Sequence, residues 1–244
     1  MAKTAAIIVI GNEILSGKTR DENSVFLSRE LRGLGVDVRR ISVIPDDLQT
    51  IAVEVRDSSQ NHDYVFTTGG VGPTHDDLTM QGIADAFARS IRRNPELESA
   101  LRGYYPPELV VPNLLMADVP EDAQLISRPG MWFPVVVVKN VYIFPGVPEI
   151  LQRKFTKIRE LFREAPYHLK EVFLRADEGQ IARILHHVME LFPDLQLGSY
   201  PYFTKPDYSI KLTLESKDTA YLANAHALLL KELSRIDLQP VQPA

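Results

Sequence analysis

The chain has 244 residues, 45% of them apolar, which is typical of a globular protein and long enough for one large α/β domain plus a smaller unit. Acidic side chains outnumber basic ones by 32 to 27, for a formal net charge of -5, so we expect no nucleic-acid partner, since such binding depends on Lys and Arg contacts to phosphates. The absence of cysteine excludes disulfides, thiolate catalysis and cysteine-ligated zinc.

The first predicted element is a strand over residues 5–10, a continuous apolar run that suits a parallel strand covered on both faces. Such a short run cannot form a signal-peptide core or a membrane span, so we expect a cytoplasmic protein with no membrane partner. Strands at 36–44 and 63–68 then alternate with helices at 23–34, from about 46 to 58, and at 78–88. This alternation predicts an α/β fold, a three-layer α/β/α sandwich around a mainly parallel sheet.

The segment that follows, up to Pro166, gives a mixed pattern. We expect a helix and irregular loop over 92–120, lying above the ligand site. Two apolar runs at 135–138 and 141–144 are separated by only two residues and predict a β-hairpin. A helix should begin near Pro148, because proline is well tolerated in the first turn of a helix.

A second unit is predicted after Pro166. A strand at 168–175 is followed by a helix at 180–192, strands at 196–200 and 208–215, and a helix at 220–236. This βαββα order describes a small α+β domain with its helices on one face of a sheet. We therefore predict a first domain at 1–165, a second at 167–237, and a disordered tail at 238–244.

The strongest motif is TTGGVGPTHDDLT, residues 67–79, which lies between a predicted strand and a predicted helix. Its three glycines permit positive φ, so that successive N–H groups can form an anion-binding concavity, and the helix N-terminus adds its dipole there. It is neither a P-loop, whose lysine is missing, nor a dinucleotide fingerprint. Ligands of parallel sheets bind at the carboxyl ends of the strands, so residues 11–17, 45–47 and 69–77 should share one rim.

Two adjacent carboxylates, Asp76 and Asp77, would repel a bare phosphate at that loop, so their position favours a divalent cation, Mg, Mn or Co, between acid and ligand. Asp46 or Asp47, on the same rim, could supply a further carboxylate. The alternative for each pair is that a carboxylate only caps the following helix. We predict the metal ligands Asp46, Asp76 and Asp77.

Further candidates surround this loop. Glu13 is either a buried strand-end carboxylate that contacts metal or ligand, or an exposed loop acid. Asn23 either caps a helix, which we favour, or contacts the ligand, and Thr67, Thr68 and Thr74 are expected to supply hydroxyl donors. The predicted ligand-binding residues are Gly11, Asn12, Glu13, Asn23, Thr68, Gly69, Gly70, Gly72, Pro73, Thr74, Thr79, Pro145, Gly146, Pro148 and Glu149.

Four motifs, GNEILSG with Asn23, IPDD, TTGGVGPTHDDLT and FPGVPE, occur in this order and together resemble the molybdopterin-binding domain shared by the MogA/MoaB enzymes, the CinA proteins and the N-terminal part of FAD synthase. The likeness to FAD synthase extends furthest. It includes FPVVVVKNVYIFPGVPEIL, YHLKEVFLRADEGQIARIL, LGSYPYF and YSIKLTLES, and so continues through the second unit.

The resemblance implies a MogA-like fold and one of two activities. In the MogA branch the domain is similar to an adenylyltransferase acting on molybdopterin, whose functional aspartates fall here on Asp46 and Asp77. In the CinA and FAD synthase branches it resembles a metal-dependent pyrophosphatase that cuts ADP-ribose or FAD. The loop reads GGVG rather than the GGTG of the MogA branch, which disfavours molybdopterin, and SRPGMWFP lacks the APGF pattern of CinA, which favours FAD-like substrates.

We therefore expect a hydrolase that releases AMP from FAD or ADP-ribose, with Asp46 and Asp77 as catalytic residues. The alternative is a protein that binds molybdopterin or a nucleotide without turning it over. We expect neither the amidase activity of CinA proteins nor FAD synthesis, because no segment resembles the domains that perform them. The second unit lacks the GxxG loop and basic stripe of a KH-type module, so we expect it to pack or dimerise, and we expect a homo-oligomer.

Overall fold

The computed structural model describes residues 2–204 and 207–242. The chain divides into two compact units between Glu164 and Ala165. The strands of the first unit are β1 (Thr4–Ile10), β2 (Asp37–Ile44), β3 (Tyr64–Thr68), β4 (Ile91–Arg93), β5 (Asp118–Pro120), β6 (Gln124–Ile126), β7 (Val135–Val138) and β8 (Val141–Phe144). Its helices are α1 (Asn12–Leu15), α2 (Asn23–Gly33), α3 (Leu48–Asn61), α4 (Thr79–Ala86), α5 (Pro95–Tyr104), α6 (Pro107–Asn113) and α7 (Pro148–Ile158), with 3-10 turns at Leu114–Ala117 and Arg159–Phe162.

Six strands form the central sheet in the order β2-β1-β3-β8-β7-β6. β2, β1, β3 and β8 are parallel, whereas β7 runs antiparallel to both β8 and β6. The predicted hairpin of β7 and β8 has the expected bounds. Four carboxyl ends of parallel strands therefore meet along one edge of the sheet, where ligands of such sheets bind.

Helices cover both faces of this sheet. Because successive strand side chains point to opposite faces, Ile8 of β1 packs in one core with Ile51 of α3, and Ile7 packs in the other with Leu27 of α2 and Phe155 of α7. These side chains are all fully buried. The predicted three-layer sandwich is confirmed.

The segment predicted as helix and irregular loop is more regular than expected. It contains α5, α6 and two short strands, and β4 pairs antiparallel with β5, so that Arg93 lies opposite Asp118. Asn94 caps α5 by accepting hydrogen bonds from the backbone N–H groups of Glu96 and Leu97. Leu115 and Asp118 then lie beside the glycine-rich loop that follows β3.

The second unit has the predicted βαββα order, with β9 (His168–Leu174), α8 (Glu178–Leu191), β10 (Gln196–Pro201), β11 (Ile210–Ser216) and α9 (Thr219–Ser234). Its three strands form an antiparallel sheet in the order β10-β11-β9. Inward residues of β11, among them Leu212 and Leu214, pack with Leu229 of α9 in a separate core. The predicted small α+β unit is confirmed.

The tail was predicted to be disordered, and this is wrong for the residues described. Leu238 packs against the core of the second unit, and the Val241 N–H donates to the Phe173 carbonyl at 2.8 Å. The last two residues, 243–244, lie outside the described part. In the ranges 2–204 and 207–242, no helix is both long and apolar enough to cross a membrane.

Candidate functional site

Four strand-end loops are joined at the carboxyl edge of the main sheet. The Gly11 N–H donates to the Ile44 carbonyl at 3.1 Å, and the Gly69 N–H donates to the Phe144 carbonyl at 3.2 Å. A β-carbon on Gly146 would lie only 3.4 Å from the Gly69 Cα. The loops after β1, β2, β3 and β8 therefore form one surface, as the strand order predicts.

The loop after β3, residues 69–72, is the glycine loop. Gly69 and Gly70 have φ values of 101° and 61°, in the left-handed region that favours glycine, so positive φ is needed at two of the three glycines. At Gly72 the requirement is space, because a β-carbon there would lie 2.7 Å from Asp77 Oδ2. The motif therefore brings backbone and a carboxylate into close contact.

Asn23 joins two of these loops and does not cap a helix, so the interpretation favoured above is wrong. Its buried amide nitrogen donates to Thr68 Oγ1 at 2.8 Å and to the Gly146 carbonyl at 2.7 Å. Asp21 receives the hydrogen bonds from the Ser24 N–H and hydroxyl at the start of α2. The Asn23 Oδ1 atom is buried and has no hydrogen-bond partner among the described residues.

We expect Asn23→Asp to lower the free energy of unfolding by about 2 kcal/mol at pH 7, because a carboxylate cannot donate to the Gly146 carbonyl. The unfavourable contacts raise the folded-state pKa of the new carboxyl above its unfolded value, so the loss should grow as pH rises through that pKa. Urea unfolding at pH 5 and pH 7 measures both effects. Asn113→Asp, at the end of α6, is the control, and an equal loss in the two variants would contradict the role of Asn23.

The threonine hydroxyls predicted as ligand donors mostly hold the loops. Thr68 Oγ1 donates to the Pro145 carbonyl at 3.0 Å, and Thr79 Oγ1 donates to the Gly69 carbonyl at 2.8 Å. The Thr67 hydroxyl is buried with no hydrogen-bond partner among the described residues. Thr74 is exposed, so its side chain can reach a ligand. The hydroxyl-donor prediction is therefore corrected for Thr67 and Thr68, and the hydroxyl of Thr79, predicted as a ligand-binding residue, is likewise enclosed.

The two aspartates after β2 have separate positions. Asp47 caps α3, accepting hydrogen bonds from the Thr50 N–H at 2.8 Å and its hydroxyl at 2.7 Å. Asp46 instead reaches the loop after β1, where its Oδ2 accepts from the Asn12 N–H at 2.8 Å. Its Oδ1 lies 3.6 Å from the position of a β-carbon on Gly70, so the Asp46 carboxylate stands beside the glycine loop.

The two aspartates before α4 also differ. Asp77 is half-buried and covers Gly72, and its Oδ2 accepts from the Thr74 N–H at 2.8 Å. Asp76 is exposed and lies next to the Thr74 hydroxyl, whose hydrogen bond keeps the pKa of the Asp76 carboxyl below its ordinary value. Neither of them caps α4, which begins without a side-chain cap.

The predicted metal site of Asp46, Asp76 and Asp77 is not assembled as a three-carboxylate group. Over residues 2–204 and 207–242, no three His, Asp or Glu side chains gather closely enough to hold a metal ion. Asp76 does not contribute to such a group, because its side chain is exposed and lies beside Thr74. Asp46 and Asp77 are the two carboxylates that stand beside the glycine loop.

A pocket of about 170 Å³ opens on the glycine loop. Gly70, Gly72, Thr74 and Asp77 form one side of it, and residues from the 3-10 turn and β5 form the other. Asp118, which was not predicted from the sequence, lines this second side and forms an ion pair with Arg93, with Nη2 and Oδ2 separated by 2.9 Å. The pairing of β4 with β5 brings Asp118 here, and no motif in the sequence marks it.

The loop after β1 forms a smaller pocket of about 60 Å³ beside Asn23. Glu13 lines it but is exposed rather than buried, and its carboxylate lies over Gly11, 2.5 Å from the position of a β-carbon there. Gly146 and Pro148 line the same pocket. The remaining predicted residues are peripheral: Glu149 is an exposed acid in the first turn of α7, and Pro73 lies between the glycine loop and Thr74.

Comparison with known protein families shows which family the chain belongs to. The family described as "Probable molybdopterin binding domain" matches residues 6–175, and the one described as "FAD synthase, middle domain" matches residues 166–242. The first match covers well over half of the chain. The chain belongs to the molybdopterin-binding domain family. The resemblance inferred from four motifs is thus confirmed.

Curated relatives extend this result. A "Probable FAD synthase" from Caenorhabditis briggsae is 36% identical over 260 aligned residues, covering 95% of this chain and 49% of the relative. A protein from Archaeoglobus fulgidus is 38% identical over 202 residues, covering 83% of this chain and 86% of the relative. The chain therefore spans about half the length of the matched nematode protein and most of the archaeal one.

A solved structure supports the fold. The crystal structure of the protein CinA with unknown function from Thermoplasma acidophilum is 31% identical, with a TM-score of 0.60, and covers 66% of this chain and 100% of that one. The three-layer fold of this molybdopterin-binding domain is therefore shared with CinA.

A second cavity of the molybdopterin-binding domain, which we call the Lys154 cavity, adjoins the glycine-loop pocket and has a volume of about 80 Å³. Its wall is apolar apart from one amine, and it consists of Val71, Met80, Met116, Trp132, Phe133, Pro134, Val136, Ile143, Pro145, Ile150 and Lys154. Lys154 Nζ donates to the Pro134 carbonyl at 2.9 Å and lies 5.0 Å from the centre of the Phe133 ring. Burial lowers the pKa of Lys154 to about 8.

Lys154→Met is expected to raise the free energy of unfolding at pH 7 by about 1 to 2 kcal/mol, because removing a desolvated charge outweighs the lost hydrogen bond. The folded pKa of about 8 lies below the ordinary 10.5, so the unfolded chain binds more protons in that window and the stability of the unsubstituted protein rises with pH. The advantage of Lys154→Met should therefore shrink between pH 8 and pH 10.5. Urea unfolding at pH 7 and pH 10 tests this, and a gain independent of pH would contradict it.

Proposed function

We propose that the first unit hydrolyses the pyrophosphate of a nucleotide-containing cofactor, FAD or ADP-ribose, and releases AMP. Two carboxylates support this most directly: Asp46 stands at Gly70 and Asp77 covers Gly72, both beside a loop whose backbone favours anions. The name of the nematode relatives, probable FAD synthase, is consistent with a nucleotide cofactor as the ligand.

The glycine loop supplies the phosphate contacts in this proposal. The N–H groups of Gly70, Val71 and Gly72 have no hydrogen-bond acceptor among the described residues, so they are available to phosphate oxygens. Thr79 begins α4 directly behind the loop, and the helix dipole favours negative charge at this end. The loop would bind and orient the pyrophosphate before any bond changes.

The two carboxylates fit a hard divalent cation, Mg, Mn or Co, since such ions are commonly held by one or two carboxylates and completed by water and substrate phosphate. Asp46 and Asp77 would hold it, and when bound it supplies charge neutralisation and a more acidic water. The Asn12 and Thr74 N–H groups hold these two carboxylates in place. In the reaction, the oxygen of water bonds to one phosphorus, the bridging P–O bond breaks, and FAD yields AMP and FMN.

The test is to incubate the purified protein with FAD or ADP-ribose and each of Mg²⁺, Mn²⁺ and Co²⁺, and to measure AMP by anion-exchange chromatography. We expect AMP and FMN in equal amounts from FAD, and AMP with ribose 5-phosphate from ADP-ribose. A chelator should stop the reaction. If no AMP forms above the level of Asp77→Asn, the hydrolase proposal is wrong.

A second candidate is a protein that binds a nucleotide or molybdopterin without turnover. It is favoured by the lack of any group of three His, Asp or Glu side chains suited to a metal within the described ranges. Calorimetry distinguishes the two functions. Saturable binding of FAD with intact FAD recovered afterwards, in every metal tested, would support binding alone.

A further inference from the structure

The Lys154 cavity adjoins the glycine-loop pocket. Val71, Met80 and Met116 line both spaces, so the cavity lies within reach of a ligand whose phosphates lie on the loop. The two ends differ in chemistry. The loop end presents backbone N–H groups and carboxylates, whereas the far end is apolar with a single cationic donor, Lys154.

Lys154 has unused hydrogen-bonding capacity. An ammonium carries three donors, and the Pro134 carbonyl is its one hydrogen-bond acceptor among the described residues. The described part of the chain also places no carboxylate within ion-pair distance of it. A partly desolvated donor in an apolar wall favours a ligand that brings a hydrogen-bond acceptor into an otherwise apolar contact.

The aromatic side chains on the wall of the cavity favour a flat group. Trp132 and Phe133 lie on its wall, and Trp132 is stacked on Tyr104 with ring centres 3.9 Å apart, which holds the indole in place. Benzene binds in apolar cavities of about 150 Å³, so a space of about 80 Å³ admits the edge of a ring system rather than all of it.

Building on the proposed function, we propose that the Lys154 cavity receives the pyrimidine edge of the ligand's heteroaromatic ring, a flavin, a pterin or a purine, and that Lys154 donates to a ring carbonyl or ring nitrogen. The glycine loop then holds the phosphate end and the Lys154 cavity selects the ring. Lys154 is a specificity-determining residue in this arrangement, since it contacts the part of the ligand furthest from the bond that breaks.

Binding of FMN, AMP and neopterin, measured by calorimetry and Trp132 emission without added metal, tests this subsite. Trp132 is the only tryptophan of the chain, so its emission reports ring binding at this cavity. We expect at least one probe to change the emission saturably, and the tightest of the three identifies the ring. Lys154→Met should weaken that probe about tenfold, as expected for one charge-assisted hydrogen bond.

Two controls separate this role from a structural one. Lys157→Met changes a lysine of the same helix that donates instead to the Pro129 carbonyl, and should leave binding unchanged. Ribose 5-phosphate, which has no ring system, should bind the unsubstituted and Lys154→Met proteins equally. Equal weakening by the two lysine variants, equal weakening of ribose 5-phosphate, or no emission change with any probe would overturn the subsite.

The outcome does not depend on hydrolysis, because none of the probes contains a pyrophosphate bond. Hydrolysis of FAD without a Trp132 response would overturn the ring subsite alone. A Trp132 response without hydrolysis would overturn the proposed pyrophosphatase alone. If Lys154→Met is not obtained as folded protein, the Trp132 emission of the unsubstituted protein still shows whether a ring binds at the Lys154 cavity.

Discussion

Asp77→Asn is expected to lower the rate of AMP release roughly 100-fold or more, the size of effect seen when one preorganised electrostatic group is lost from an active site. Asp77 lines the glycine-loop pocket, and its Oδ2 covers Gly72. The amide can keep an oxygen towards the Thr74 N–H, so the loop should keep its shape. The substitution therefore removes the charge that would balance a cation and keeps the hydrogen bond from the Thr74 N–H.

Asp76→Asn is the matched control, because it removes the same charge one residue away. Asp76 is exposed and does not line the described glycine-loop pocket, so its loss should change the rate less than about threefold. Rates for both variants are measured by AMP release at saturating FAD and several metal concentrations. Raised metal should partly restore Asp77→Asn. If Asp76→Asn loses as much activity as Asp77→Asn, the assignment of Asp77 is wrong.

The fold could be predicted where the apolar residues form a clear pattern, either a continuous run or a helical spacing. The apolar run of β1 and the helical spacing of α2 and α7 identified a parallel sheet with helices on both faces, because those patterns record which side chains are buried. The pairing of β4 with β5 could not be predicted, since these strands have three residues each and lie 24 residues apart. Short strands give no periodic signal, and their partners are chosen by tertiary packing.

The site was harder to predict than the fold. The sequence predicted that three loops share one rim, but it could not show which of two adjacent aspartates lies against the glycine loop, because that depends on the backbone path of the loop. Asn23 was misinterpreted since an asparagine at a helix start suits a cap equally well. A signal did exist for Lys154, which lies three residues after Leu151 and four before Ile158, on the buried face of α7.

Gly69→Ala should be the most destabilising single substitution in the site, with an expected loss of about 4 kcal/mol in the free energy of unfolding. A β-carbon there would lie 2.0 Å from the Ile10 carbonyl oxygen, which is backbone and cannot rotate away. The φ of 101° adds strain, because this conformation is rarely adopted by residues other than glycine. Urea unfolding of both proteins measures the difference.

The same substitution should also damage binding, because Gly69 connects the loops. Its N–H donates to the Phe144 carbonyl and its carbonyl accepts from Thr79, so a displaced Gly69 shifts the neighbouring N–H groups away from the phosphate positions. Gly103→Ala is the control: this helical glycine is exposed, a β-carbon meets nothing within 4 Å, and alanine there should stabilise by about 0.5 to 1 kcal/mol. The prediction is contradicted if the free energy of unfolding of Gly69→Ala lies within 1 kcal/mol of that of the unsubstituted protein and the variant binds FMN normally. In that case the close contact between the loop and β1 is not needed for the site.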